Sequence, residues 1–388
     1  MKVKVPKTLL TEHVALLERV IPTRSSNPLF TYLGLALTPD ALVLFGTNGE
    51  VDLEVRLELP TEGEGRFLVP AQPFFQLVKS LPGDQVELDF GAELSLSSGS
   101  FSTRLSLAPD EGYPELFFPS LEGPAEPYPL QTLLPVEELL KALSHVRYAA
   151  SNEEYRAIFR GVQLEFSEGG LRSVASDGYR LALYRLAKPQ PFAKKVVVPA
   201  RSVDEMVRVL KGMGEGEVAL ALGPGVLGLA TSGSQGAAAT GKGQLRMAVR
   251  LMEGEFPDYE RVIPKEFPLK AAFDVEAFRE ALRRVSVLSD RQNHRVDLLF
   301  EEGRVLLSAE GDYGKGQEEI PVRLEGLPLA VAYNARYLLE ALSPLSGQAV
   351  LLLSGPTSPS LVRPGEASSF TAGEAAEGYQ AVVVPLRV

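Results

Sequence analysis

A chain of 388 residues, 45% hydrophobic and 23% charged, has material for two or three soluble cores. It contains no cysteine, which excludes disulfides, thiolate metal sites and cysteine nucleophiles, and no run of 18 apolar residues that would make a membrane-spanning helix. The formal charge of −11 speaks against nucleic acid as a partner unless the basic side chains are gathered on one face.

The first residues, Met1-Lys2-Val3-Lys4-Val5-Pro6, alternate charged and apolar side chains as a strand does. They lack the apolar stretch and cleavage site of a signal peptide, so a cytoplasmic protein is expected. A helix over 7–24 follows, with Leu10, Val14 and Leu17 at the i, i+4, i+7 spacing of one apolar face. Leu42 to Gly46 is a strand ending at Thr47-Asn48-Gly49, where Asn-Gly tolerates the positive φ of a hairpin turn. Val51 to Leu57 alternates as the return strand, Val69-Pro70-Ala71-Gln72 opens a second helix over 71–80, and Val86 to Phe90 alternates again. Pro and Gly then crowd 120–129 and mark a joint.

The same succession returns twice. Leu139, Leu143 and Val146 stripe a helix over 136–150, Leu171 to Ala175 ends in Ser176-Asp177-Gly178, and Val198-Pro199-Ala200-Arg201 opens a helix over 201–211. Phe278, Leu282 and Val285 stripe 275–288, Val305 to Ala309 ends in Glu310-Gly311, and Tyr333-Asn334-Ala335-Arg336 opens 335–342. Leu10 to Leu139, Gly49 to Gly178 and Pro70 to Pro199 all span 129 residues; Gly178 to Gly311 spans 133 and Pro199 to Asn334 spans 135. Three unrelated signatures sharing one offset define a tandem repeat. The expected fold is α+β, with domains at 1–127, 128–268 and 269–388, each two helices on antiparallel sheets.

The six helices carry 13 Lys and Arg against nine Asp and Glu, while the rest of the chain is strongly acidic. Helices sharing one surface would draw a polyanion to that face only, although Lys and Arg on helices also serve solubility. Gly236 to Gly243 nearly matches a phosphate-binding loop, but Gly243 stands where Ser or Thr is needed and Leu245, Met247 and Val249 alternate as a strand, so a hairpin loop is expected. His13, His145 and His294 are isolated, no Gly-x-Ser-x-Gly elbow occurs, and Asp110-Glu111 beside Gly112 reads as a turn, so neither an enzyme, a metal site nor a cofactor is expected. A three-domain β-rich ligand-binding protein without a DNA role remains the alternative reading.

Three stretches are more specific: Ser176-Asp177-Gly178-Tyr179-Arg180-Leu181, Glu255-Phe256-Pro257-Asp258-Tyr259-Glu260-Arg261-Val262-Ile263-Pro264, and the ending Val382-Val383-Val384-Pro385-Leu386-Arg387-Val388. With the helix starts and the length, they make the whole chain resemble the bacterial DNA polymerase sliding clamp family, the beta subunit of the DNA polymerase III holoenzyme. The resemblance implies a homodimer closed head to tail into a ring, helices inside and sheets outside, around double-stranded DNA held without sequence specificity. It implies a non-catalytic processivity factor that tethers the polymerase alpha subunit, the clamp-loader delta subunit and other replication and repair proteins.

By that resemblance Arg24 faces DNA, and Lys79, Arg147, Arg201, Arg208, Arg283 and Arg336 are expected to do so from their places on inner helices; Gln72 stands where relatives often have a basic residue. A partner-peptide groove is expected from Phe159, Ser176, Gly178, Tyr179, Arg180, Leu181, Pro257, Arg261 and Val262 with the tail residues Val382, Val384, Pro385, Leu386 and Arg387. Arg156, Asn334, Tyr337 and Ser360 would stand near its rim, and Val287 and Leu288 near the subunit junction. An apolar C-terminus also needs covering for its own sake, so an ordinary final strand is the other reading of the tail, and the two are compatible.

Overall fold

Each copy is two successive strand–helix–three-strand units. The first copy runs β1 (Lys2–Pro6), α1 (Lys7–Val20), β2 (Tyr32–Thr38), β3 (Ala41–Thr47) and β4 (Val51–Glu58), then a short β5 (Thr61–Glu62), β6 (Gly65–Pro70), α2 (Ala71–Ser80), β7 (Gln85–Phe90), β8 (Glu93–Ser98) and β9 (Phe101–Ser106). The second runs β10 (Leu130–Pro135), α3 (Val136–Ser144), β11 (Gly161–Ser167), β12 (Gly170–Ser176), β13 (Arg180–Leu186), β14 (Lys194–Pro199), α4 (Ala200–Met213), β15 (Glu217–Gly223), β16 (Val226–Thr231) and β17 (Gln244–Arg250). The third runs β18 (Leu269–Asp274), α5 (Val275–Ser286), β19 (Arg295–Glu301), β20 (Arg304–Gly311), β21 (Gly314–Pro321), a short β22 (Arg323–Glu325), β23 (Leu329–Asn334), α6 (Ala335–Leu342), β24 (Gln348–Leu353), β25 (Ser360–Pro364) and β26 (Gly378–Val383). These elements come from a computed structural model that describes residues 1–231, 244–365 and 377–387. Gly236 to Gly243, expected to form a hairpin loop, and the terminal Val388 lie outside the described residues.

The chain forms two compact units, Met1–Leu140 with Arg201–Met252, and Lys141–Ala200 with Glu253–Val388. The division passes through the middle copy because strand pairing does not stop at copy boundaries. In the first unit β4 pairs antiparallel with β17, Val51 opposite Val249, giving an eight-stranded sheet ordered β10-β15-β16-β17-β4-β3-β2-β6. In the second unit β13 pairs with β26, Arg180 opposite Val383, giving a nine-stranded sheet ordered β14-β11-β12-β13-β26-β25-β24-β18-β22. Sheets of five strands (β5-β1-β7-β8-β9) and four (β21-β20-β19-β23) complete the two units. β9 and β21 are edge strands.

The apolar stripes read from the sequence are core. Leu10, Val14, Leu17, Leu139, Leu143, Val146, Phe278, Leu282 and Val285 are all buried. Gly49 and Gly178 adopt φ of 89° and 90°, the left-handed conformation their turns require. Several boundaries differ from expectation; α4 runs over Ala200–Met213 rather than 201–211, and α5 stops at Ser286 rather than 288. Helix α1 stops at Val20 rather than 24, because Pro22 disfavours helical geometry at Ile21, so Arg24 lies in the following loop. Helix α3 stops at Ser144 rather than 150, and a 3-10 turn over Arg147–Ala149 places Arg147 beyond the helix. The third hairpin turns at Asp312-Tyr313, since Gly311 still pairs with Gly314.

One buried charge supports the first joint. Asp52 is 1% exposed, accepts from the Thr47 hydroxyl at 2.6 Å and meets Arg250 at 3.0 Å across the β4–β17 ladder. Arg250→Ala leaves that carboxylate one weak donor and is expected to cost about 2 kcal/mol, since the arginine is itself half exposed. An earlier first urea transition would show it, with Asp52→Asn in the same background restoring part of the loss.

Candidate peptide groove and basic residues

In the second unit the β12–β13 hairpin is organised by Asp177. Its carboxylate accepts from the backbone N–H groups of Tyr179 and Arg180 at 2.9 and 3.1 Å and from the Arg180 Nε at 3.1 Å. The Ser176 hydroxyl donates to the Arg180 carbonyl at 2.8 Å and accepts from the Gly178 N–H at 3.1 Å. Backbone and side chains are thus locked together, and Tyr179 is held out, 50% exposed.

Around this turn two arginines pack against a pair of stacked tyrosine rings. The Arg156 guanidinium donates to the Asp177 carbonyl at 2.6 Å and lies 5.2 Å above the Tyr179 ring. Tyr179 stacks on Tyr337 at 6.2 Å and 21°, and the Arg180 guanidinium lies over the Tyr337 ring at 4.5 Å and 5.5 Å from the Tyr148 ring. Arg180 is further held by an ion pair with Glu340 and by donating to the Tyr148 carbonyl at 3.2 Å. Beneath it the Tyr379 hydroxyl donates to the Ala341 carbonyl at 2.6 Å, so the Tyr148 hydroxyl, 2.6 Å away, is the donor to Tyr379. Burial pushes the Tyr148 phenol up and the Tyr379 phenol well up, which keeps both protons in place. A cleft of about 360 Å³ opens here, lined by Tyr179, Arg180, Asn334 and Tyr337 of the expected groove together with Glu153, Asp177, His294, Arg336 and Glu340.

The tail is tied down on both sides. β26 lies between β13 and β25; beyond it the Val384 N–H donates to the Tyr179 carbonyl at 3.2 Å and the Leu386 N–H to the Ala332 carbonyl at 2.8 Å. Pro385 is buried, Leu386 half-buried, and Val384 and Arg387 exposed. Leu181 and Val382 do not face solvent; they share a cluster with Val174, Tyr259, Val350 and Leu361. Ser360 is buried too, its hydroxyl bonded to that of Tyr333, so it supports the wall rather than the rim. Phe159 meets Phe256 edge to face at 6.1 Å, and Pro257, Arg261 and Val262 are exposed on the following segment, Arg261 paired with Asp258 at 2.8 Å. That segment is pinned through Tyr259, whose hydroxyl donates to Glu165 at 2.9 Å and accepts from Arg172, and through Glu260, 2.7 Å from Arg172. The sequence reading missed Glu340, Tyr148, Glu153 and His294; Glu340 and Tyr148 find their partners Arg180 and Tyr379 far along the chain, and no local pattern marks any of the four as lining the cleft.

The seven expected DNA-facing cations divide in two. Lys79 pairs with Glu18 at 2.5 Å, Arg208 with Glu205, and the Arg147 Nε donates to the Ala200 carbonyl at 3.0 Å. Arg24, Arg201, Arg283 and Arg336 are exposed and form no ion pair among the described residues. Arg201 and Arg336 sit in the first turns of α4 and α6, where a cation opposes the helix dipole.

Fold and site together define a scaffold: three tandem α+β copies with a cleft and a pinned tail at one strand junction. The family profiles described as the N-terminal, central and C-terminal domains of the DNA polymerase III beta subunit match residues 1–117, 133–258 and 260–375 in order. The chain is 29% identical over 392 residues to the beta sliding clamp of Pseudomonas putida, covering 99% of both, and 30% identical over 394 residues to that of Streptomyces coelicolor, covering both fully. The solved sliding clamp of Pseudomonas aeruginosa bound to griselimycin superposes with a TM-score of 0.88 at 27% identity, covering 100% of each chain. The chain therefore belongs to the DNA polymerase III beta subunit family, the bacterial sliding clamps.

Proposed function

We propose that two copies of this chain close head to tail into a ring around duplex DNA and act there as a non-catalytic tether for the replicative polymerase. One observation carries the ring. β17 and β26, the last strands of copies two and three, pair with β4 and β13; β9 and β21, the strands at the same repeat positions, have no such neighbour among the described residues. Pairing β9 of one chain with β21 of the next supplies the missing joints and leaves no open edge there. Val287, 78% exposed, and Leu288, whose side chain packs on Gly316 of β21, stand beside that edge. The chain should sediment near ~84 kDa, twice its 42.0 kDa mass, and Val287→Asp should shift it towards the monomer. A wild-type chain that stays monomeric at micromolar concentration would sink the ring.

Inside the ring Arg24, Arg201, Arg283 and Arg336 would reach phosphates without reading bases, so the duplex can slide with little change in energy from step to step. The groove would take short segments of the polymerase alpha subunit, the loader delta subunit and repair proteins, with Gln and Leu or Phe anchors between the tail and the Tyr179 turn. Modest affinity there lets partners exchange on one ring.

A further inference from the structure

The internal repeat invites a comparison of the two joints within the chain. At the β13–β26 joint the crossing segment lies on one apolar cluster, with Tyr259 inside it and Phe256, Ile263 and Phe267 packed against it. At the β4–β17 joint the crossing segment rests on two separate patches. Tyr113 packs with Val43, Phe45 and Leu68 at one end, and Tyr128 packs with Ala221, Ala248 and Phe118 at the other. Between them the sheet presents a charged strip, Glu54 and Arg56 on β4 beside Gln244 and Arg246 on β17. Apolar residues have nothing to bury against there, so the segment stands off and a cleft of about 430 Å³ remains.

We infer that this cleft is a second docking site, separate from the tail groove, for a partner peptide that carries a lysine or arginine next to an apolar residue. Its floor is electrically spent: Arg246 binds Glu54 through two hydrogen bonds at 2.8 and 2.6 Å, and Arg56 meets Asp40 at 2.9 Å. Gln244 is taken by Glu58 at 3.2 Å. On the rim Glu122 and Glu126 are exposed and make no ion pair among the described residues, so the field a ligand meets is negative. The wall is apolar, formed by Phe118 and Leu121, with Arg246 5.2 Å from the Phe118 ring. A cation between the two glutamates and an aliphatic side chain against that wall satisfy both, in a volume suited to two or three residues.

The probe is a labelled hexapeptide of alternating lysine and leucine, titrated into the full chain by fluorescence anisotropy. Saturable binding is expected, weakened at least about tenfold by the double substitution Glu122→Lys, Glu126→Lys, and unchanged when residues 385–388 are removed. Both glutamates are exposed, so the double variant keeps its fold. A hexapeptide of alternating lysine and serine should bind at least about tenfold more weakly. Three results would overturn the site: no saturation by about 5 mM, indifference to the double substitution, or equal binding of the lysine–serine peptide, which would mean general attraction to an acidic chain.

Discussion

Replacing Arg24, Arg201, Arg283 and Arg336 together by alanine should remove most of the salt-dependent affinity for duplex DNA. Each phosphate contact contributes about 0.9 to the slope of log K against log salt, so four per chain in a dimer correspond to a slope of roughly 7. Single alanine variants should each lower it by about 2, and Glu in place of Ala should add repulsion. The paired cations supply the contrast. Lys79 already faces Glu18 and Arg208 already faces Glu205, so their alanine variants should change the slope by less than half as much. Equal effects from both sets would refute the distinction between free and engaged cations. Topology is tested apart from charge: a ring loaded on a circle should be retained, and lost once the circle is cut, in wild type and alanine variants alike.

How much of this was legible in the sequence depends on the range of the interactions involved. Periodicity is local, so the buried stripes of α1, α3 and α5 and the Asn48-Gly49 and Asp177-Gly178 turns could be read directly. The repeat offset carried the succession of strands and helices along each copy, because each copy repeats one chain of local signals, but not the pairing of β4 with β17 and β13 with β26 across copies. The helix ends were misjudged where one residue decides them, as Pro22 does for α1. The standing of each cation was not legible, since Lys79 meets a carboxylate 61 positions away and Arg24 meets none among the described residues. The same holds for the groove. Its turn and tail were visible as motifs, but the pair Arg180–Glu340 and the hydroxyl chain through Tyr148 and Tyr379 exist only once the second unit has folded. Leu181 and Val382, expected to line the groove, were apolar because they belong to the core beneath it.

Removing residues 385–388 should weaken a labelled partner peptide with Gln and Leu anchors by at least about 30-fold, which corresponds to roughly 2 kcal/mol. The deletion takes away the buried Pro385 and the half-buried Leu386, one apolar wall of the proposed groove, where each peptide anchor buries about 1.5–3 kcal/mol. It also frees the Ala332 carbonyl that receives the Leu386 N–H, so the neighbouring Asn334 side of the cleft loses its strap. β26 ends at Val383 and keeps its ladders to β13 and β25, so the fold and the subunit mass should be unaffected. Leu386→Ala should give about a tenfold loss from apolar contact alone, and Arg387→Ala, at an exposed position, less than threefold. An unchanged affinity after the deletion would remove the groove from the tail. Loss of affinity with loss of dimer would instead show that the tail serves the core, the other reading open to an apolar C-terminus; a selective loss separates the two because β26, which ends at Val383, lies outside the deletion.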